Sequence, residues 1–310
     1  MNKSSYFIPD KALFGSYPDA DAVKELEANG VVLFVNLTED HEIENKYTVS
    51  GDNKILSFPI PDRKIPTDYL SFSLFIIKIS ILMNTFKNND KLYVHCKGGH
   101  GRAGVLVACL LCYIYNIEPE KSLELTTQYH STRKEMKQKW RQIGSPQTCR
   151  QKNFVIRMFT PIKFYRAFKS GTTTGFSNFS THPVYMKYFN VTFPTSEAAF
   201  NAYKDPDNKE YIQKLVESKS PFIAKEHSKK CNLRTDWFQN REIFMQEVIR
   251  SKLEQHKEFE INLINTGLKP IIHFTKNDKF WGNGPENNGK NVLGNILMKI
   301  RHEQFIKLIF

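Results

Sequence analysis

Residues 94–104 read VHCKGGHGRAG: a cysteine and an arginine separated by five loop residues. They lie between an apolar strand at 91–95 (KLYVH) and an apolar helix starting near Ala103 (VLVACLLCYIY). A strand-to-helix loop of this length, closed around an anion, points several backbone N–H groups at one centre. Gly98, Gly99 and Gly101 supply the positive-φ freedom such a nest asks for, with Lys97 and His100 completing the loop. Cys96 stands at the loop base, near the positive end of the following helix, where a thiol pKa falls and the thiolate becomes the resting form. Arg102 offers a planar fork matched to two oxygens of a phosphate. A lone cysteine in a glycine-rich turn would be a packing residue; His95-Cys96 followed at this spacing by Arg102 is far more specific.

The run resembles the signature of cysteine-dependent protein phosphatases, the small dual-specificity type in particular. The resemblance implies Cys96 as nucleophile, residues 97–101 with Arg102 as the phosphate-binding loop, and His95 in support. Such chemistry needs an acid to protonate the leaving oxygen. Asp62, between Pro61 and Pro66 in FPIPDRKIPTD (58–68), stands where these phosphatases carry theirs. Asp68 is the competitor, better suited to capping the helix that follows it. Downstream, SPQTCRQKNFV (145–155) resembles the segment whose glutamine positions the hydrolytic water; Gln151 is the better match, Gln147 the alternative, and a solvated helix residue the bland reading. The family usually places Ser or Thr after the arginine to stabilise the departing thiolate. This chain has Ala103, as do the slow phosphatases of the regenerating-liver type, which implies phosphoryl transfer to Cys96 followed by sluggish hydrolysis of the thiophosphate.

With 310 residues the chain has room for two ordinary domains. Hydrophobic and charged fractions of 40% and 25% exclude a disordered chain. The net charge of +12 is uneven: residues 1–155 hold 20 Lys/Arg against 17 Asp/Glu, residues 156–310 hold 24 against 15. A polyanionic substrate would be drawn to the second half, unless those lysines merely solvate a surface. Five cysteines and an N-terminus (MNKSSYFIPD) without a secretory pattern point to a reducing, intracellular, cytoplasmic setting. Cys109 and Cys112 form a C-x-x-C inside the helix after the loop, where core packing outweighs a metal or redox pair. No zinc spacing and no cofactor motif are evident. The most apolar stretch, 70–86, is interrupted by Lys78 and Asn84 and is too short for a membrane span; it reads as a buried amphipathic helix.

The first half alternates strand and helix. Apolar strands are expected at 31–37, 54–58 and 91–95, and helices near 20–29, 68–86, 103–116, 119–130 and 148–157. This is an α/β layout with a central, mostly parallel sheet and the loop at the carboxyl end of a strand. A seam falls around 159–168, giving domains 1–160 and 161–310. The second half is mainly helical (α+β): a strand-like YFNVTF at 188–193, a helix opening at 194–197, an amphipathic helix at 236–256 with Phe244, Met245, Val248, Ile249 and Leu253 on one stripe, a Gly/Asn-rich loop at 281–291, and a last helix at 292–304.

Glu197, Phe200 or Asn201, and Lys204 recur at helical spacing and share one face. Alone they would read as a surface ion pair. They stand, however, in an ordered series: FSNF (176–179), FPTSE (193–197), Lys204, Trp237/Arg241/Met245, Asn265-Thr266-Gly267, Asp278-x-x-Trp281-Gly282, then Gly289-x-Asn291-x-Leu293-Gly294 and Leu297-Met298-x-Ile300-Arg301. This series, over about 162–306, resembles the NADAR family of YbiA-like N-glycosidases. The resemblance implies cleavage of an N-glycosidic bond to ribose, with phosphoribosylamino-pyrimidines and guanine-linked ADP-ribose as family substrates. It implies Lys204 as nucleophile through a Schiff base, Glu197 as acid/base, and Asn178, Asp278, Trp281, Gly282 and Asn291 as ligand-binding residues. Trp281 would stack on a base or sugar, unless it is a core aromatic; Asn291 is otherwise a helix N-cap. The family's His after the Glu is Ala198 here, and its Gln is Asn201, which leaves the exact glycoside open.

Together these readings imply a bifunctional hydrolase without metal or cofactor. Its partners would be a phosphorylated substrate (protein, nucleotide or RNA 5′ end) and ADP-ribosylated nucleic acid or a small ADP-ribose-like molecule, with no membrane. The competing class is a binding module that holds phosphate and ADP-ribose at one or two inactive sites. Oligomeric state is not legible.

Overall fold

The computed structural model describes residues 2–165 and 175–310. The chain divides into two compact units, Met1–Thr160 and Pro161–Phe310; of the seam expected at 159–168, residues 166–168 lie outside the described residues.

Unit 1 is built on a five-stranded sheet in the order β1-β2-β5-β3-β4, with β1 at Ser4–Ile8, β2 at Ala12–Ser16, β3 at Val31–Asn36, β4 at Lys54–Ser57 and β5 at Lys91–Cys96. β1 pairs antiparallel with β2, and the remaining ladders are parallel. β5 is central: Val94 lies opposite Phe14 of β2 and Val35 of β3. Its residues 92–96 are buried, which is why it reads as a continuous apolar run and not as an alternation. The hairpin β1–β2 has no counterpart in the sequence reading. Its short strands, SSYFI and ALFGS, give few repeats from which to read a period.

The helices of this unit are α1 (Ala20–Ala28), α2 (Tyr69–Asn84), α3 (Arg102–Tyr115), α4 (Pro119–Ser131), α5 (Gln138–Ile143) and α6 (Cys149–Phe159). Every residue of α3 from Arg102 to Cys112 is buried. It packs against α2, α4 and α6 as well as β5, and a helix enclosed in this way must be apolar all round. Cys109 and Cys112 are free thiols in that core, with Cys112 Sγ 3.1 Å from Ser122 Oγ. Asp68 caps α2, accepting from Leu70 N and Ser71 N, as the sequence reading assigned it. Asn116 in the left-handed region ends α3.

Unit 2 is mainly helical. A parallel pair, β6 (Ile162–Phe164) with β9 (Ile271–His273), and a hairpin, β7 (Val184–Met186) with β8 (Val191–Phe193), flank α7 (Ser196–Ala202), α8 (Lys209–Val216), α9 (Pro221–Ser228), α10 (Trp237–Gln255), α11 (Lys257–Ile264) and α12 (Val292–Ile309). The strand expected at 188–193 is corrected: only Val191–Phe193 is extended. Asn190, at φ 54°, turns the chain back so that Val184 pairs with Phe193. α10 packs on α7, α11, α12 and β7 and buries Met245, Val248, Ile249 and Leu253. The same stripe carries Lys252, fully buried, which the sequence reading passed over. No helix among the described residues is long and apolar enough to cross a membrane.

Candidate active sites

In unit 1, Cys96 ends β5 and Arg102 opens α3, so residues 97–101 form the loop between them. Four of the five loop carbonyls are tied away by hydrogen bonds. Lys97 O accepts from Tyr17 N (3.1 Å), Gly99 O from Arg133 Nη2 (2.9 Å), His100 O from Ser145 Oγ (2.5 Å) and Gly101 O from Val105 N (3.0 Å). Among the described residues, the N–H groups of Gly98 to Gly101 donate to no backbone carbonyl. With four of the five oxygens committed elsewhere, the donors are left for an anion.

The glycines serve different ends from those expected. Only Gly99 has positive φ (+72°), and a Cβ there would lie 2.2 Å from the carbonyl of Gly15. Gly98 and Gly101 are not in that region, so the expectation of three positive-φ glycines is corrected. At Gly101 the constraint is space: a Cβ would come within 2.8 Å of Gln147 Oε1 and 2.9 Å of Gln151 Nε2.

Arg102 is buried and fully engaged. Nη1 donates to Glu42 Oε1 (2.5 Å) and Ile60 O (2.7 Å), while Nη2 donates to Glu42 Oε2 (2.8 Å) and Asp62 Oδ1 (3.0 Å). The bidentate pair fixes the plane of the fork. Burial alone would raise the Glu42 carboxyl, but the bonds from Arg102 and from Glu39 N hold it below its ordinary value. Asp62 is exposed, on a segment held to the loop twice: by Arg102 and by Gln151 Nε2, which donates to Lys64 O (3.1 Å). Gln151 is fully buried, so the reading of it as a solvated helix residue is corrected. It joins a capping box with Thr148 and abuts Gly101, as Gln147 does.

Behind the loop lies a buried guanidinium, Arg133, which stacks on Phe14 (4.5 Å). Burial lowers its pKa to about 10, while Tyr93 and Cys96 pull the other way. His95 is buried and neutral, lowered by burial to about 3, with Nε2 2.7 Å from Tyr47 Oη. His100 stacks on Trp140 and lies 2.8 Å from His130 Nε2. Glu42, Tyr47 and Arg133 are absent from the sequence reading, and Ser145 enters it only as the first residue of the segment 145–155. Each lies far from the loop in sequence and reaches it only through the fold.

In unit 2 a cavity of about 630 Å³ is lined by Asn178, Glu197, Lys204, Asp278 and Trp281 together with Phe200, Trp237, Arg241, Met245 and His273. Thr195 caps α7 by accepting from Ala198 N (3.2 Å), which sets Glu197 in the first turn. Lys204 lies beyond α7, on a turn closed by Lys204 N to Asn201 O (3.0 Å); the shared helical face is thus corrected to a helix start plus a turn. Burial raises the Glu197 pKa, more than Lys225, Asn201 and Lys204 lower it. Burial lowers that of Lys204, whose Nζ donates to Ser228 Oγ (3.1 Å) and sits 5.5 Å from the Trp237 ring. A carboxyl shifted toward its protonated form and an amine shifted toward its neutral form share one cavity.

Asn178 is buried; its Nδ2 contacts Met245 Sδ, and its Oδ1 has no partner. Beneath this turn Lys252 Nζ donates to Gly175 O (2.5 Å), Ser177 O (3.3 Å) and Ser180 Oγ (2.6 Å). Burial lowers its pKa to about 7. Asp278 Oδ1 accepts from Phe280 N and Trp281 N, shaping the turn that presents Trp281 edge-on to Phe200. Two expected ligand residues are corrected. Asn291 pairs with the backbone of β9 (Oδ1 from His273 N, 2.9 Å; Nδ2 to Ile271 O, 2.8 Å) and does not line the cavity; nor does its side chain cap α12. Gly282 packs against Thr275 and His273 O, where a Cβ would clash, and is likewise off the cavity wall. His273 was missed as a cavity-lining residue, Arg241 entered only as a member of the ordered series, and Lys252 was missed as the buried cation beneath the 175–180 turn. Lys252 had a signal of its own, a lysine within an apolar stripe. Among the described residues no His/Cys/Asp/Glu cluster fits a metal ion.

Residues 1–155 match the family model described as Swiss Army Knife protein, DSP-PTPase phosphatase domain, and residues 163–304 match the NADAR domain. Putative tyrosine phosphatase 067L of Invertebrate iridescent virus 3 is 36% identical over 62% of this chain and 79% of its own length. Putative tyrosine phosphatase 197R of Invertebrate iridescent virus 6 is 28% identical over 98% of this chain and 96% of its own. N-glycosidase YbiA of Escherichia coli (strain K12) is 36% identical over 48% of this chain and 91% of its own.

Proposed function

The chain belongs to the DSP-PTPase family through its first half and to the NADAR family through its second, and we propose that each half completes its own covalent cycle of hydrolysis. In the first, Cys96 Sγ attacks phosphorus and the bond to the leaving oxygen breaks as Asp62 protonates it. The free N–H groups of 98–101 take up the non-bridging oxygens, and the Arg102 guanidinium, its Nη groups held by Glu42, Ile60 and Asp62, supplies positive charge beside them. Water, oriented by Gln151 or Gln147, then cleaves the phosphocysteine. The thiolate leaves without the hydroxyl that Ala103 lacks, so this second step limits turnover. The outward commitment of the loop carbonyls supports this reading over that of a packing turn.

In the second, Glu197 supplies the proton and Lys204 attacks C1′ of the ribose. The Nζ–C1′ bond forms, the bond from C1′ to the base nitrogen breaks, and the base leaves with the proton. Glu197 then takes a proton from Nζ and returns it to O4′ as the C1′–O4′ bond breaks, so the opened sugar is held as a Schiff base; water adds at C1′, and the C1′–Nζ bond breaks to free the lysine and the aldehyde. Asn178 Oδ1 accepts from a sugar hydroxyl, Trp281 stacks on the base, and the substrate is ADP-ribosyl-guanine in nucleic acid or a related phosphoribosyl glycoside. The observation that carries this half is the opposed pair in one cavity, Glu197 shifted up and Lys204 shifted down, the arrangement an acid and an amine nucleophile need. Mass spectrometry of a guanine-ADP-ribosylated oligonucleotide tests it. Wild type should remove the ADP-ribose and Lys204→Ala should not; removal by both would overturn the assignment of Lys204.

A further inference from the structure

Lys252 occupies a core position on α10, one turn beyond Val248 and Ile249, where the stripe calls for an apolar side chain. A lysine is almost never fully buried unless its amine is paired. Among the described residues its acceptors are neutral oxygens, and all come from one turn: Gly175 O at 2.5 Å, Ser177 O at 3.3 Å and Ser180 Oγ at 2.6 Å. The Phe259 ring, its centroid 4.9 Å from Nζ, packs against the same amine. Three donors on three acceptors suit a charged amine. A neutral one keeps both carbonyls and accepts from the Ser180 hydroxyl in return, so the tie does not depend on charge. A buried amine is thus satisfied by a single chain segment, residues 175–180.

That segment carries two parts of the site. Asn178 lines the cavity; its Oδ1 has no partner, and its Nδ2 meets Met245 Sδ at 3.4 Å, a weak acceptor. A side chain so weakly bonded takes its direction from the backbone beneath it. The Asn178 carbonyl also accepts from Glu197 N (3.0 Å), which satisfies one of the orphan donors at the start of α7. The bonds from Ser180 N to Ser177 O (3.2 Å) and from Phe179 N to Ser177 Oγ (3.1 Å) stay within the turn and do not fix it against the helices. We propose that Lys252 is a positioning residue of this cavity: by tying the 175–180 turn to α10, it sets the direction of Asn178 and the placement of Glu197 without touching substrate. The inference rests on the glycosidase reading and adds to it a residue that stands behind the cavity wall.

The full chain tests this with Lys252→Met, which keeps the length and loses the donors, and Lys252→Gln, which keeps an amide donor. Thermal melting establishes which variants are folded, and phosphatase turnover by the first half should be unchanged. Amide exchange, read by mass spectrometry on peptides covering 175–180 and α7, should quicken on the order of 10- to 100-fold in Lys252→Met, the range of lost hydrogen bonds to a charged group, with exchange in α12 unchanged. Cleavage of a guanine-ADP-ribosylated oligonucleotide should fall in kcat by roughly 10- to 100-fold, the effect of a displacement of about 1 Å at a reacting group. KM should move less, and Lys252→Gln should recover part of the kcat. Val248→Ala, in the same core and off the cavity wall, controls for stability: it should lower the melting temperature and leave kcat. Wild-type exchange at the turn, or wild-type kcat, in folded Lys252→Met would overturn the proposal, as would an equal loss of kcat in Val248→Ala. Should neither lysine variant fold, Ser180→Ala, which removes one acceptor, decides: a smaller change of the same sign supports the tie, and wild-type exchange overturns it. A loosened turn in a chain that cleaves no glycoside would leave the tie standing and refute the glycosidase reading.

Discussion

The phosphate loop collects its groups from seven consecutive residues, 96–102, and presents mostly backbone N–H donors. The cavity of the second half collects side chains from residues 165 to 293, among them a turn, a helix start, a helix and a loop. A backbone nest is specified by what ties its carbonyls back, so its determinants lie in the supports: Tyr17, Arg133 and Ser145. A side-chain cavity is specified by burial, which here moves Glu197 and Lys204 in opposite directions.

The sharpest way to break this comparison is to remove one nucleophile at a time. Cys96→Ser should abolish phosphatase turnover and leave glycoside cleavage intact, and Lys204→Ala should do the reverse; assays of both activities on each variant check this. A variant that lost both would contradict two separate cycles. The next effect is smaller. Asp62→Asn should slow phosphoryl transfer by about 10²–10⁴, most for esters with poor leaving groups and little for nitrophenyl phosphate, which leaves without a proton. A loss independent of the leaving group would show that Asp62 acts through Arg102 and not as the acid.

Glu42→Gln probes the support of the loop. Both partners of the Arg102 pair are almost wholly buried, so breaking it should destabilise unit 1 by about 3–5 kcal/mol. Because the Glu42 pKa is lowered in the fold, the pair contributes fully above the ordinary carboxyl value of about 4.3 and is lost as pH falls through the lowered one. The variant should therefore show a shallower loss of stability on acidification than wild type in chemical unfolding. The smallest expected effect is that of Ala103→Ser. A hydroxyl at the departing thiolate should speed the second step by roughly fivefold, about 1 kcal/mol, and reduce the phosphoenzyme caught in an acid quench. Unchanged build-up would show that Ala103 is not what limits hydrolysis.

What the sequence made legible follows the same division. The strand and helix around Cys96 and Arg102 are nearly continuous in hydrophobicity because both are buried on every side, and the motif between them is local. Glu42 is invisible in sequence: it lies 60 residues from Arg102 in a segment whose neighbours, Asp40 and His41, are charged or polar. The α/β order of the first half and the main helices of the second are set by hydrophobic period and caps, but the Tyr188–Asn190 turn hides in an aromatic run that reads as strand. Asn291 shows the limit of pattern in the other direction. Its place in the series marks it for the ligand, whereas the fold spends its amide on the backbone of β9. In Gly101 the loop motif is right and the reason differs: close packing by Gln147 and Gln151 in place of a left-handed backbone.

Two covalent nucleophiles of different chemistry, a thiol and an amine, in one chain is the central claim. It is tested most directly by mapping adducts after incubation with a phosphorylated substrate and, separately, with an ADP-ribosylated guanine oligonucleotide plus borohydride, followed by an acid quench and peptide mass spectrometry. The account predicts phosphate on the Cys96 peptide and a reduced sugar on the Lys204 peptide, the latter missing from Lys204→Ala. Release of the base with no adduct at Lys204, or an adduct that survives Lys204→Ala, would contradict it.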